Sequence, residues 1–210
     1  MKTANTFIET FKKYLGCNEL DGSHKKLIDT FNSSKLKSFP LSYDDPWCAG
    51  GLSAVAIVCG YTDLIPISGN CDEMYNKGKV MGISIDKILW KPKVGDIIFY
   101  DWNLDNELDH VGCVTEIIGS NIKVIECNKS NSVCYRTINY KDGTITSILR
   151  PRYDLPEKNI TIEYSYKDYC DTVIKCINGE YGNGSERQEK LEKEGYDYNK
   201  VQNIINILLK

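Results

Sequence analysis

The sequence predicts an α+β protein from three features. Apolar residues recur at helical spacing up to Gly60, strand-like runs parted by turn residues fill positions 97–150, and short helical segments close the chain beyond Tyr153. Helices first and an antiparallel meander afterwards is the α+β order. With 210 residues, 41% of them hydrophobic, the chain has enough apolar material for a core, which excludes a disordered protein. A net charge of −3 without a lysine stripe argues against nucleic acid as a partner. No window approaches the roughly 18 apolar residues of a membrane span, so no membrane insertion is expected. The nine cysteines are odd in number and form no Cys-x-x-Cys pair, and no secretory apolar run follows Met1. Free thiols in a cytoplasmic setting are therefore expected rather than a disulfide framework.

Taken in order, Phe7, Phe11, Tyr14 and Leu15 mark an amphipathic helix over Asn5–Leu15, closed by Gly16. A second helix starts at Ser23 with Leu27, Ile28 and Phe31 on one side. His24, in its first turn beside Lys25 and Lys26, reads as a solvated surface residue. A third helix opens at Asp45-Pro46 and ends at Gly60, and a short fourth is expected around Cys71–Tyr75. Strands follow at Ile97–Tyr100, His110–Ile118, Asn121–Asn128, Val133–Ile138 and Thr144–Arg150, separated by Gly, Asn, Asp and Ser turns. Asp101, Asp105, Glu107 and Asp109 read as a solvated loop.

The third helix carries the chemistry. Asp45 suits the N-cap and Pro46 the first helical position, which puts Cys48 in the first turn among unpaired N–H groups at the positive end of the helix dipole. That seat favours thiolate, the nucleophilic form. Leu52, Val55, Ala56 and Cys59 form a core stripe behind it, so Cys48 alone has an ordinary reading as a packing residue. A partner histidine adds the chemical one. His110 opens a strand, and a helix-borne cysteine with a strand-borne histidine generalises the hydrolase triad. Alternation puts His110, Gly112 and Val114 on one strand face, and Ile122, Val124, Glu126 and Asn128 on one face of the next. Pairing through the Gly119-Ser120 turn makes Glu126 a neighbour able to hold the imidazole.

These runs also occur in a telling order. Pro46-Trp47-Cys48 is followed by Lys91-Pro92 with Gly95-Asp96-Ile97-Ile98-Phe99-Tyr100. Then come Asp109-His110-Val111-Gly112, Ile125-Glu126-Cys127-Asn128 and Arg150-Pro151-Arg152-Tyr153. Over roughly Leu36–Tyr153 the chain resembles the CHAP domain, the cysteine/histidine amidohydrolase–peptidase of peptidoglycan hydrolases. The resemblance implies a papain-like fold with N-terminal helices packed on an antiparallel sheet. It implies Cys48 as nucleophile, His110 as general base, Glu126 as its orienting group and Asn128 as an auxiliary polar residue, with Gly112 keeping the wall beside the histidine low. The Cys48 N–H is expected to bind the oxyanion, with Tyr43 as a second donor. Trp47 is either a cleft wall or a packing residue. Some family members carry an aspartate-rich calcium loop before the cysteine. Only Asp44 and Asp45 stand there, so no metal and no cofactor is expected.

Beyond Asp154–Ser165, which reads as a linker with an extended run at Ile160–Tyr164, three helices are expected over residues 166–210. The second opens at a capping box, Ser185 with Gln188. Residues 1–153 thus read as the catalytic domain and 166–210 as a small three-helix bundle. The string Asn178-Gly179-Glu180-Tyr181-Gly182-Asn183-Gly184-Ser185-Glu186-Arg187, with Leu191 and Glu194-Gly195-Tyr196, resembles the Cpl-seven-type cell-wall-binding repeat of phage lysins. That resemblance implies recognition of bacterial peptidoglycan, with Tyr181 stacking on a sugar and Arg187 pairing with a carboxylate. Bundle-core and bracing roles for the same two residues stay open. A single repeat leaves room for a homodimer through this module. Together the two resemblances imply an endolysin, made without a signal peptide and released to the wall by a holin. It would be an amidase or an endopeptidase. A non-catalytic wall-binding protein and a papain-like peptidase acting on another amide are the alternatives.

Overall fold

The structure, a computed structural model, describes residues 2–153 and 166–208. Its contacts divide the chain into two compact units, Met1–Asp154 and Leu155–Lys210. The expected linker, extended run included, lies outside the described residues.

The first unit opens with α1 (Ala4–Lys12), α2 (Lys25–Ser33), α3 (Cys48–Cys59) and α4 (Cys71–Val80). Six strands follow: β1 (Ser84–Ile85), β2 (Ile97–Tyr100), β3 (His110–Ile118), β4 (Asn121–Lys129), β5 (Ser132–Asn139) and β6 (Ile145–Leu149). They form one antiparallel sheet in the order β1-β6-β2-β3-β4-β5. The meander expected from the turns holds for β2 to β5, but β6 departs from it and returns beside β2. Strand β1, two residues long, has no periodicity of its own and exists through its pairing with β6. This mixed α+β unit, with helices and one antiparallel sheet, is of the fold class expected.

The sheet's two faces have different uses. Ile97, Phe99, Val111, Cys113, Ile125 and Cys127 join the apolar residues of α1, α2 and α3 in the main core. Ile98, Val114, Ile122, Val124, Ile145 and Ile148 cover the opposite face with Trp90. Helix α3 sits between layers and is apolar on nearly every side, as a helix buried all round must be. Gly50 and Gly51 allow this seat. A methyl group on Gly51 would lie 2.6 Å from the Cys127 sulfur, and one on Gly50 2.4 Å from Leu41 Cδ1. Gly51→Ala is therefore expected to destabilise the unit by about 1–3 kcal/mol through overpacking. A denaturation midpoint equal to wild type would refute that seat.

Two sequence motifs meet as structure rather than chemistry. Asp96 is buried, and its carboxylate accepts from Arg150 Nε at 2.7 Å, Arg150 Nη2 at 2.8 Å and Trp90 Nε1 at 2.8 Å. The Gly-Asp and Arg-Pro runs are thus two ends of one clamp that ties the start of β2 to the end of β6. His24 corrects its solvated reading. It is 3% exposed, with Nδ1 3.1 Å from the Asn18 carbonyl and Nε2 3.1 Å from the Tyr43 carbonyl. It straps the loop before α2 to the loop before α3, packed against Trp47.

The second unit consists of α5 (Tyr166–Ile177), α6 (Ser185–Lys193) and α7 (Tyr198–Leu208). Val173, Cys176, Tyr181, Leu191, Val201 and Ile205 form its core. The capping box does not form. Gly184 occupies the N-cap position, and Gln188 donates forward to Glu192 instead of back to Ser185.

Candidate active site

Helix α3 begins later than its capping signal predicts. Asp45 accepts the Ser42 N–H at 2.6 Å and so closes the preceding turn, leaving Trp47 at the N-cap and Cys48 as the first helical residue. The nucleophile candidate therefore stands at the very tip of the helix, where the Ala49 N–H reaches its sulfur.

A second helix tip meets it. Asn70 caps α4 by accepting the Glu73 N–H at 2.9 Å, which puts Cys71 at the first position of α4 with its sulfur 3.7 Å from that of Cys48. The hydrogen bond from the Cys71 thiol is the largest influence holding Cys48 well below an ordinary thiol. It acts with the hydrogen bond and charge of His110 against the opposing effect of burial. Cys71 is pushed the other way, well above an ordinary thiol, because its proton is held by Cys48 and it is itself buried. One sulfur is thus tuned as acceptor and its neighbour as donor. Asp72, the next residue, accepts the Leu108 N–H and fastens α4 to the loop that leads into β3.

The sheet supplies the imidazole. His110 is the first residue of β3, paired with Tyr100 on β2, while Gly112 pairs with Glu126 on β4. Nε2 of His110 is 3.1 Å from Glu126 Oε2, so Nδ1 is the nitrogen left to act on the Cys48 sulfur. Burial disfavours the imidazolium, but the hydrogen bonds to Cys48 and Glu126 outweigh it and hold His110 at about 9. Gly112 has no substitute here, since a methyl group on it would lie 2.7 Å from Glu126 Cγ and 2.5 Å from Val124 Cγ1.

Glu126 is fully buried and fully engaged. Tyr100 donates its hydroxyl to Oε1 at 2.7 Å, and Arg136 Nε donates to Oε1 at 2.8 Å and Oε2 at 3.1 Å. Burial works against its charge, yet these partners together with His110 keep its carboxyl below the ordinary carboxylate range. Arg136 stands diagonally across from Glu126 because Val124 is its register partner on β4. Trp102 stacks on Tyr100 at 4.4 Å between ring centroids. The acidic loop that carries Trp102 is folded rather than merely solvated. Asp101 is buried and accepts the Asn106 N–H at 2.9 Å, and Asp109 accepts the Trp102 N–H at 2.6 Å.

The other expected site residues are distributed differently. Asn128, at φ 59°, follows Glu126 where the register with β5 shifts, and lines a cavity beside His110. Trp47 is corrected to a packing residue. Its ring is fully buried and its Nε1 donates to Glu19 at 2.9 Å. Tyr43 is corrected as an oxyanion donor, since its hydroxyl donates to Asp29 at 2.8 Å. In the second unit Tyr181 is 7% exposed and donates to Glu194, which removes its ring face from sugar stacking. Arg187 spends its donors on Gly182, Gln202, Cys176 and Asn183, so it braces the bundle instead of presenting a free fork. Cys71, Tyr100, Trp102 and Arg136 were missed. Three had signals, an Asn-Cys pair at a helix start for Cys71, an aromatic in the strand before His110 for Tyr100 and a lone arginine inside a strand for Arg136, and Trp102 had none. A larger groove of about 710 Å³ is lined by residues of none of these groups, among them Leu36, Ile67, Lys77 and Met81.

A thiol at a helix tip beside an imidazole at a strand start is an arrangement suited to cysteine–histidine nucleophilic chemistry. Residues 41–128 match the family model of the CHAP domain, and residues 171–209 match that of the CW_7 repeat. Each match falls within one of the two compact units. No curated protein matches it. Among solved structures, an NlpC/P60 family protein from Bacillus cereus is similar at 18% identity and a TM-score of 0.42. The similarity covers 71% of this chain and 40% of that one, so the present chain spans well under two thirds of its neighbour's length.

Proposed function

We propose that the first unit is a cysteine-dependent hydrolase of an amide bond in bacterial peptidoglycan, an N-acetylmuramoyl-L-alanine amidase or a stem-peptide or cross-bridge endopeptidase. The second unit is its wall-binding module, and an endolysin is the role that unites them. The observation that carries this reading is His110, whose Nε2 lies 3.1 Å from the buried Glu126 carboxylate and whose ring acts on the Cys48 sulfur at the tip of α3.

The chemistry follows from the resting ion pair. The Cys48 thiolate attacks the scissile carbonyl carbon, and the carbonyl electrons move to oxygen, where the N–H groups at the tip of α3 receive the charge. As the C–N bond breaks, the His110 imidazolium gives its Nδ1 proton to the leaving amine, which leaves a thioester and neutral imidazole. His110 then takes a proton from water whose oxygen attacks the thioester. Cleavage of the C–S bond restores the thiolate and the imidazolium. Glu126 stays ionised throughout and keeps the ring oriented, with Nε2 as donor.

Cys48→Ala is expected to abolish clearing in a wall zymogram, with turnover lower by a factor on the order of 10⁴–10⁶, while sedimentation with purified walls is unchanged. Clearing by the variant at the wild-type rate would leave a wall-binding protein with a structural cysteine. Mass spectrometry of muropeptides released by the wild type assigns the bond. Products that retain the stem peptide on the lactyl group exclude the amidase.

A further inference from the structure

Beside His110 lies a cavity of about 390 Å³ lined by Trp102, His110, Asn128, Lys129, Ser130 and Arg136. Its two side chains of permanent charge are both cationic, in a chain whose net charge is −3. Arg136 is held in place from within the sheet. Its Nε is committed to Glu126, and its guanidinium lies 4.9 Å from the Trp102 ring and 5.3 Å from that of Tyr100. Among the described residues its two Nη groups have no hydrogen-bond partner, and neither has the Lys129 ammonium. Lys129 is the second cationic side chain of this lining.

The wall of this cavity is a turn held in uncommon backbone geometry. Asn128, Ser130 and Asn131 have φ of 59°, 50° and 58°. Ser130 and Asn131 owe theirs to the two-residue loop that joins β4 to β5, where positive φ at both central residues matches the strand twist, and Asn128 lies where the register shifts. A guanidinium whose plane is already fixed loses little freedom on meeting a flat anion, and a nearby ammonium adds charge without demanding geometry. The indole of Trp102 gives the same group an apolar floor.

We propose that this cavity is a carboxylate subsite. It takes a free carboxylate carried by the peptide substrate near the scissile amide, with Arg136 Nη and Lys129 Nζ as donors. The proposal rests on the peptidoglycan-hydrolase reading and specifies its substrate as a stem peptide whose carboxylate has not been amidated.

Two synthetic stem peptides, identical except for a carboxylate or a carboxamide at one position, test it by calorimetry on the full-length Cys48→Ala protein. The carboxylate peptide is expected to bind about tenfold tighter, and the preference to shrink when Lys129→Met is added or when salt is raised. Equal binding of the two peptides, binding of neither at millimolar concentration, or a preference untouched by Lys129→Met overturns the subsite. A wild-type protein that keeps the preference yet cleaves no wall sinks the hydrolase reading alone. Cleavage of both peptides with the same KM sinks the subsite alone.

Discussion

Glu126→Ala is expected to lower kcat/KM by about a hundredfold to ten-thousandfold and to cost the first unit about 3–5 kcal/mol of stability. Both effects come from one buried carboxylate with three partners. Without it, Arg136 is left partly buried with no counter-charge, the Tyr100 hydroxyl loses its acceptor and His110 loses the group that fixes its ring. Removing one member of a buried pair costs more than the pair's net worth, because the survivor keeps its desolvation penalty. Glu126→Gln separates the two losses. It keeps the shape, and so more of the stability, but its neutral amide can no longer favour the imidazolium, so its activity should fall with Glu126→Ala. Urea denaturation and kcat/KM on one muropeptide substrate measure both. Wild-type activity in either variant would remove Glu126 from the machinery.

The second large effect is in the pH profile. kcat/KM should rise as pH passes the depressed titration of Cys48, hold a plateau, and fall as His110 loses its proton at about 9. Cys71→Ala removes the strongest influence holding the Cys48 thiol down. The acidic limb should therefore move toward neutrality while the alkaline limb stays near 9. Rates of iodoacetamide alkylation against pH give the same thiolate titration without substrate, and an unmoved acidic limb in Cys71→Ala would refute the donor role. Stability follows with opposite signs for the two groups. The contribution of His110, raised from 6.5, is complete below that value and is lost as pH rises through about 9. The contribution of Glu126, lowered from 4.5, is present above that value and is lost as pH falls through its depressed titration.

Much of the site was legible in local signals. Cys48 at a helix start, His110 at a strand start, and Glu126 in phase with His110 across one tight turn all follow from periodicity and turn residues. Gly112 was implied by the family resemblance alone, and the structure gives it a steric reason, contact with Glu126 and Val124. Signals that failed did so because a polar group had two places to bond. Asp45 closes a turn instead of capping α3, Ser185 yields its cap to Gly184, and His24 finds two carbonyls instead of water. For Trp47, Tyr181 and Arg187, residue type suits both a ligand face and a core. Burial, which no local pattern reports, settles Trp47 and Tyr181 in favour of packing, and internal hydrogen bonds settle Arg187.

By itself the sequence determined the α+β order, the helix start that seats Cys48, and the alternation that puts imidazole and carboxylate on neighbouring strands. Those depend on the nearest few residues along the chain, where spacing and capping act directly. Only the tertiary structure decided that a second helix tip brings Cys71 against Cys48, that β6 returns beside β2, and that Arg136 and Tyr100 enclose the carboxylate. The physical reason is range. Residues far apart in sequence meet only when the whole core closes, and the energy that joins them is spread over the buried surface between, not written at either residue.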